Sequence, residues 1–127
     1  MTSARRIMIV EDSPTVRYQV KLMLEKLNII LVEAANEVGM FNLMEEYGVR
    51  VDLIIMDLTL KNENGLDLIK KLRDSENYMD IPVLILTEHA DMNSVLKARE
   101  LGVSGYLRKP IQKDELVDRI QGILQPE

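Results

Sequence analysis

The stretch that decides the fold is IMIVEDSPTVR, residues 7–17, in which an apolar run stops on two adjacent carboxylates, Glu11 and Asp12. Four consecutive apolar residues are typical of a strand that is buried on both faces of a parallel sheet. Ser13 and Pro14 follow, and this pair favours a helix start, since serine caps the first turn and proline fits the first helical position. The stretch therefore predicts a strand, a charged strand end and a helix in direct succession.

Apolar runs of this kind recur along the chain, separated by segments with helical spacing. The predicted strands span 6–10, 29–33, 52–56, 82–86 and 104–107. Alternation of strand and helix predicts one α/β domain over residues 1–127, a flavodoxin-like (βα)5 fold with a doubly wound, five-stranded parallel sheet. Right-handed crossovers leave few topologies, and we expect the strand order 2-1-3-4-5.

Capping residues and glycines mark the expected helix ends. The boundary positions are Ser13, Asn36, Gly48, Gly65, Asp91, Gly102 and Gln112. Apolar spacing then predicts which face of each helix is buried. In the second helix the predicted buried residues are Val38, Phe41, Met44 and Tyr47.

Composition excludes several classes of protein and site. The chain has no cysteine and one histidine, which rules out disulfides and thiolate zinc sites and disfavours multi-histidine metal sites. Its net charge of −5 and its scattered basic residues disfavour direct nucleic-acid binding. The longest apolar runs are too short to cross a bilayer, and no secretion signal opens the chain. We therefore expect a cytoplasmic protein that contacts neither membrane nor nucleic acid.

Polar side chains stand where the predicted strands end. They are Glu11 and Asp12 after strand 1, Asp57 after strand 3, Thr87 after strand 4, and Lys109 with Pro110 after strand 5. The carboxyl ends of parallel strands lie on one edge of the sheet, and ligands bind there, where the winding changes direction. With the expected order this point lies between strands 1 and 3, so Asp12 and Asp57 should face each other.

Three carboxylates at one point are not neutralised by a single lysine. Two carboxylates about 5 Å apart repel each other by roughly 3 kcal/mol at an effective dielectric constant near 20. Either pKa values rise, or a cation lies among the carboxylates. Oxygen ligands of this kind suit Mg²⁺ or Mn²⁺. Each residue taken alone is commonly a cap or loop residue, but the joint pattern on four strand ends indicates a metal site.

A metal beside a fixed aspartate, a hydroxyl and an ammonium suits phosphoryl transfer. The carboxylate of Asp57 can act as the nucleophile and form an acyl phosphate. The cation and Lys109 can balance charge on the phosphoryl oxygens, and Thr87 can donate a hydrogen bond to them. The pattern thus favours a chain that accepts a phosphoryl group.

Four longer motifs carry a resemblance to a known family. They are IMIVEDS at 7–13, DLIIMDLTLKNENGLDLIKKLR at 52–73, IPVLILTEHA at 81–90 and GVSGYLRKPI at 102–111. Together they resemble the receiver domain of two-component response regulators, particularly the single-domain chemotaxis type. The resemblance covers essentially the whole chain.

The resemblance implies a magnesium site of defined composition. Asp57 would be both the phosphorylated residue and a metal ligand, and Asp12 would bind the metal directly. Glu11 would act largely through water, and Thr59 would supply its backbone carbonyl.

It also implies a switch next to that site. Lys109 would pair with a phosphoryl oxygen, and the bond between Lys109 and Pro110 is expected to be cis. Thr87 would turn toward the phosphoryl group, and Tyr106 would move inward with it.

By the same resemblance, a sensor histidine kinase would donate the phosphoryl group. The domain would catalyse only its own phosphorylation and dephosphorylation, so it would not be an enzyme in the usual sense. The face formed by the fourth helix, the last strand and the fifth helix would then bind or release an output protein, which the sequence does not identify. The implied oligomeric state is a monomer or a phosphorylation-linked dimer.

Several positions depart from the family pattern. Glu88 stands where a small residue usually follows the switch threonine, and Leu60-Lys61 replace a common Met-Pro. His89 and Thr59 occupy positions that tune the lifetime of the acyl phosphate in the family. Glu88 supports an alternative, a non-phosphorylated receiver-like interaction module. A small-molecule-binding flavodoxin-like domain is disfavoured, because no glycine-rich phosphate loop follows strand 1.

Overall fold

The structure, a computed structural model, describes residues 4–88 and 91–125. Within them, five strands of one sheet alternate with five helices: β1 (Arg5–Val10), α1 (Pro14–Leu24), β2 (Ile29–Ala34), α2 (Glu37–Tyr47), β3 (Leu53–Asp57), α3 (Gly65–Arg73), β4 (Val83–Thr87), α4 (Met92–Glu100), β5 (Gly105–Arg108) and α5 (Lys113–Leu124). All neighbouring strands are parallel, in the order β2-β1-β3-β4-β5. The predicted fold class and strand order are confirmed, and each strand lies within one residue of its predicted bounds.

The helices cover both faces of the sheet. Successive strand residues point to opposite faces, so β1 sends Ile7 and Ile9 into one core and Met8 and Val10 into the other. The first core includes buried residues of α1 and α5, and the second includes buried residues of α2, α3 and α4. Burial on both faces explains why the central strands read as continuous apolar runs.

The helix boundaries follow the expected signals. The side chains of Ser13, Asn36 and Asp91 accept hydrogen bonds from the first turns of α1, α2 and α4. Gly48 and Gly102 follow α2 and α4 with φ values of 51° and 70°, a region that favours glycine.

The predicted buried face of α2 is partly wrong. Val38 is 69% exposed, whereas Met40 and Met44 are fully buried. The buried face of the helix is therefore rotated from the predicted one. The sequence could not show this, because α2 carries apolar residues around much of its circumference and only its position over β2 decides which of them are covered.

One feature of the β3–α3 connection was not predicted. Thr59–Leu60 and Glu63–Asn64 pair as two-residue antiparallel strands. Asn62 turns the chain between them with φ 63°, a conformation that asparagine tolerates. Leu60 and Lys61 lie in this hairpin. None of the helices in the described residues is long and apolar enough to cross a membrane.

Candidate functional site

The carboxyl ends of β1 and β3 bring three acidic side chains together. Glu11 and Asp12 directly follow β1, and Asp57 is the last residue of its neighbour β3. Carboxylate oxygens of the three residues lie within 4.8 Å of one another. Glu11 and Asp57 are each 1% exposed, and Asp12 is half-buried. The predicted meeting of Asp12 and Asp57 at the switch in winding is therefore present in the structure.

Lys109 reaches the same point from the end of β5. Its Nζ lies 2.6 Å from Glu11 Oε1 and 3.3 Å from Asp57 Oδ2. Its backbone N–H donates to the carbonyl oxygen of Thr87 at 2.8 Å, which ties the β5 end to the β4 end. The peptide bond between Lys109 and Pro110 is cis. The ammonium group is thus fixed between two buried carboxylates.

The negative charge of this cluster exceeds what the lysine can neutralise. Burial is the largest cause and raises the pKa of Glu11 from 4.5 to about 7; the hydrogen bond from Lys109 opposes this rise, and Asp57 adds to it. For Lys109, burial alone would lower the pKa, but its contacts with Glu11 and Asp57 outweigh burial and raise it.

The donor set fits a hard divalent cation. Three carboxylates whose oxygens lie within 4.8 Å of one another offer the ligands that Mg²⁺ and Mn²⁺ prefer. A cation there would also stabilise the charged form of Glu11 and so oppose the rise in its pKa that burial causes. Among residues 4–88 and 91–125, this is the one acidic group with such a spacing.

Backbone amides hold the acidic side chains in place. Asp12 Oδ2 accepts from the N–H of Lys61 at 2.8 Å, and Asp57 Oδ1 accepts from the N–H of Thr59 at 3.0 Å. Both donors belong to the β3–α3 hairpin. Glu11 Oε2 accepts from the N–H of Ser13 at 3.3 Å. These contacts could not be predicted from the sequence, because every non-proline residue offers the same backbone N–H donor.

Gly65 allows α3 to begin directly beside Asp57. A Cβ atom at this position would lie 2.3 Å from the carbonyl oxygen of Asp57 and 2.8 Å from Leu58 Cα. Its N–H donates to the carbonyl oxygen of Leu58 at 3.0 Å. Only glycine permits this approach without moving the backbone that carries Asp57.

Thr87 ends the strand next to the one that ends at Asp57, and both Thr87 and Tyr106 lie under α4. Thr87 ends β4 and is buried, and Tyr106 is half-buried on β5. The two share the lining of a small cavity of about 10 Å³ between the sheet and α4. The other lining residues are Leu58, Ile85, Ser94, Val95 and Ala98.

Most of the residues singled out from the sequence thus converge. The acidic cluster contains Glu11, Asp12 and Asp57 with Lys109 paired to it, and Thr59 contacts Asp57 through its amide. Glu88 is exposed at the rim. His89 lies outside the described residues.

Comparisons with known proteins agree with this geometry. The sequence model of the response regulator receiver domain matches residues 7–121. The phosphate regulon transcriptional regulatory protein PhoB of Escherichia coli K12 is 34% identical over 122 residues, 96% of this chain and 52% of PhoB. The chain therefore spans about half the length of that relative. A chemotaxis protein CheY homologue of Campylobacter jejuni is 29% identical over 94% of this chain and 92% of its own.

A solved structure of the same architecture holds a metal. It is the receiver domain of a sensor histidine kinase of Pseudomonas aeruginosa PAO1, with a magnesium ion coordinated in its active-site cleft. The two chains superpose with a TM-score of 0.84 and 26% identity, covering 98% of this chain and 100% of the other. Fold, acidic pocket and family match together show that this chain belongs to the response regulator receiver domain family.

Proposed function

We propose that residues 1–127 form one receiver domain that accepts a phosphoryl group on Asp57 from a sensor histidine kinase, in a reaction that depends on Mg²⁺ or Mn²⁺. One observation carries this proposal. The buried carboxylate of Asp57 has the ammonium of Lys109 at 3.3 Å and oxygens of Glu11 and Asp12 within 4.8 Å. This arrangement combines a nucleophile, a fixed cation and a set of metal ligands at one strand end.

The metal ligands would be carboxylates on two neighbouring strand ends. Asp12 and Asp57 would bind the ion directly, Glu11 through water, and Thr59 through its backbone carbonyl. The bound ion supplies positive charge that offsets the carboxylates and the phosphoryl oxygens. The kinase receiver domain of P. aeruginosa, with magnesium in its cleft, supports this assignment by similarity.

The protein's own residues account for the rest of the transfer. A carboxylate oxygen of Asp57 forms a bond to phosphorus while the bond from phosphorus to the donor histidine nitrogen breaks, and the imidazole keeps that electron pair. Lys109 holds a phosphoryl oxygen through its ammonium group, and the Thr87 hydroxyl donates to another. The domain thereby catalyses its own phosphorylation and dephosphorylation and turns over no separate substrate.

Phosphorylation would change the surface beside the site. Thr87 and Tyr106 share the cavity under α4, so movement of Thr87 toward a phosphoryl oxygen leaves space that Tyr106 can enter. The face of α4, β5 and α5 would then bind or release an output protein. We place the domain in the cytoplasm, without membrane or nucleic-acid contacts of its own, as a monomer or a phosphorylation-linked dimer.

A chemical phosphodonor tests the proposal directly. The protein is incubated with acetyl phosphate and Mg²⁺, and intact mass is measured for the wild type and for Asp57→Asn. We expect the wild type to gain one phosphoryl group, and this gain to require both Mg²⁺ and Asp57. No gain at high donor concentration, together with no binding of beryllofluoride, would favour the alternative of a non-phosphorylated interaction module.

The metal site is tested separately by thermal unfolding. A ligand that binds only the folded state raises the melting temperature. We expect Mg²⁺ to raise the melting temperature of the wild type and Asp12→Ala to lose most of this rise. A rise of equal size in both proteins would remove Asp12 from the metal site.

A further inference from the structure

A groove opens beside the phosphorylation site, and Glu88 stands on its wall. The groove has a volume of about 500 Å³ and is lined by Val16, Gln19, Glu88, Lys109, Pro110 and Ile111. Lys109 extends from this groove to Asp57, since its Nζ lies 3.3 Å from Asp57 Oδ2. A phosphodonor that reaches Asp57 along this side therefore passes Glu88.

Glu88 is the groove's unbalanced charge. The ammonium of Lys109 is already shared between Glu11 and Asp57, and the other lining residues are uncharged. Glu88 is exposed and, among residues 4–88 and 91–125, forms no ion pair. Glu88 directly follows Thr87, whose carbonyl oxygen accepts a hydrogen bond from the backbone N–H of Lys109 at 2.8 Å. This bond fixes the end of β4, to which Glu88 is attached.

We propose that Glu88 selects phosphodonors by charge: it repels small dianionic donors more strongly than donors of lower net negative charge. The inference rests on the proposed function, because it concerns the donor of that same reaction. Glu88 therefore acts as a specificity residue at the entrance and takes no part in the bond changes at Asp57.

The size of the effect follows from Coulomb's law. In water, one negative charge about 10 Å from a ligand lowers the local concentration of a dianion roughly fourfold and of a monoanion roughly twofold. Salt screens this effect, because the Debye length falls to about 3 Å at molar ionic strength.

Two small donors of different charge separate this effect from simple access. Acetyl phosphate is a dianion at neutral pH, and acetate leaves with the electron pair of the broken P–O bond as Asp57 binds phosphorus. Phosphoramidate carries an ammonium-type nitrogen and a net single negative charge, and ammonia leaves with the electron pair of the P–N bond. Both reactions give the same phosphorylated Asp57.

The experiment compares initial phosphorylation rates of wild type, Glu88→Gln and Glu88→Lys with both donors and Mg²⁺. Glutamine keeps the length of the side chain and removes its charge. We expect Glu88→Gln to raise the acetyl phosphate rate roughly fourfold and the phosphoramidate rate roughly twofold at low ionic strength, and Glu88→Lys to raise both further. At high salt the phosphorylation rates of the three proteins should become equal, because the charge of residue 88 is then screened.

The control is Glu25→Gln, which changes net charge equally at an exposed position that follows α1 at the opposite edge of the sheet. It should leave both rates unchanged. An unchanged ratio of the two rates in Glu88→Gln, with wild type still phosphorylated, would overturn the inference alone. Failure of wild type with both donors would instead overturn the proposed function.

Discussion

The helices α3 and α4 are both nine residues long and cover the same face of the sheet, yet they are held very differently. Five residues of α3 are buried, against one residue of α4. On α4, Met92 and Leu96 are 71% and 46% exposed. The free energy that holds a helix to a sheet scales with the apolar area it buries, so α3 is fixed far more strongly than α4.

A half-buried arginine, Arg73, also holds α3 in place. The guanidinium of Arg73 donates to four carbonyl oxygens, those of Met79, Ile81, Leu101 and Gly102. These bonds connect the end of α3 to the chain before β4 and to the segment that follows α4. The C-terminal end of α4 is therefore tied to α3, while Ser94, Val95 and Ala98 of α4 line the cavity of Thr87 and Tyr106.

This difference divides the domain into a scaffold and an adjustable part. Helix α3 begins at Gly65, against the backbone of Asp57, so its firm packing fixes the position of Asp57. Helix α4 covers Thr87 and Tyr106 and is packed lightly enough to change position at low cost.

The largest effect is expected from truncating the buried face of α3. Leu72 is fully buried, and Leu72→Ala should lower the free energy of unfolding by about 2 to 5 kcal/mol, through lost burial and the cavity left behind. Leu96→Ala, the matched change on α4, should cost less than about 1 kcal/mol, because this side chain is 46% exposed. Urea unfolding measures both, and equal losses would contradict the comparison.

A somewhat smaller loss is expected when Arg73 is replaced. Arg73→Met keeps much of the side-chain length but leaves four carbonyl oxygens without this donor, which should cost about 2 to 3 kcal/mol. Arg99→Met removes an exposed positive charge from the last turn of α4 and serves as the control. If both variants unfold at the same urea concentration, Arg73 does not tie α3 to its neighbours.

Glycine positions give a third test. Gly65→Ala places Cβ 2.3 Å from the carbonyl oxygen of Asp57, so either α3 or the end of β3 must shift. We expect a loss of about 2 kcal/mol and weaker Mg²⁺ binding, measured by thermal unfolding with and without the ion. Gly122→Ala on α5, where no atom beyond the neighbouring residues and the helix's own backbone lies within 4 Å of the added Cβ, should stabilise by up to about 0.8 kcal/mol. Unchanged Mg²⁺ binding in Gly65→Ala would show that the helix start does not position Asp57.

Much of the fold and of the acidic cluster could be predicted from the sequence, but not all of it. The strand ends and the caps at Ser13, Asn36 and Asp91 have local signals, and these predictions agree with the structure. The meeting of Asp12 and Asp57 followed from strand order, because parallel strands share an edge. Local pattern and topology were therefore sufficient for the position of the acidic cluster.

Contacts between distant segments could not be predicted in this way. Arg73 reaches carbonyl oxygens up to 29 residues away, and the amide of Lys61 reaches Asp12 across 49 residues. Backbone atoms are the same in every residue, so no sequence pattern marks them as partners. Likewise, the buried face of α2 depends on where the helix lies over β2, which spacing alone does not determine.

The smallest predicted effect concerns the start of α4. Asp91 caps this helix by accepting hydrogen bonds from the N–H and hydroxyl of Ser94, and these bonds hold the pKa of Asp91 below its ordinary value. A carboxyl whose pKa is lowered by folding stabilises the fold above its unfolded pKa, and this contribution is lost as the pH falls through the folded value. Acid should therefore loosen the first turn of α4 while leaving α3 unaffected.

An NMR pH titration should show the Ser94 amide signal moving with the protonation of Asp91. Asp91→Asn keeps a good cap that does not titrate, so in this variant the signal should stay fixed. A signal that moves equally in both proteins would mean that another group controls the start of α4.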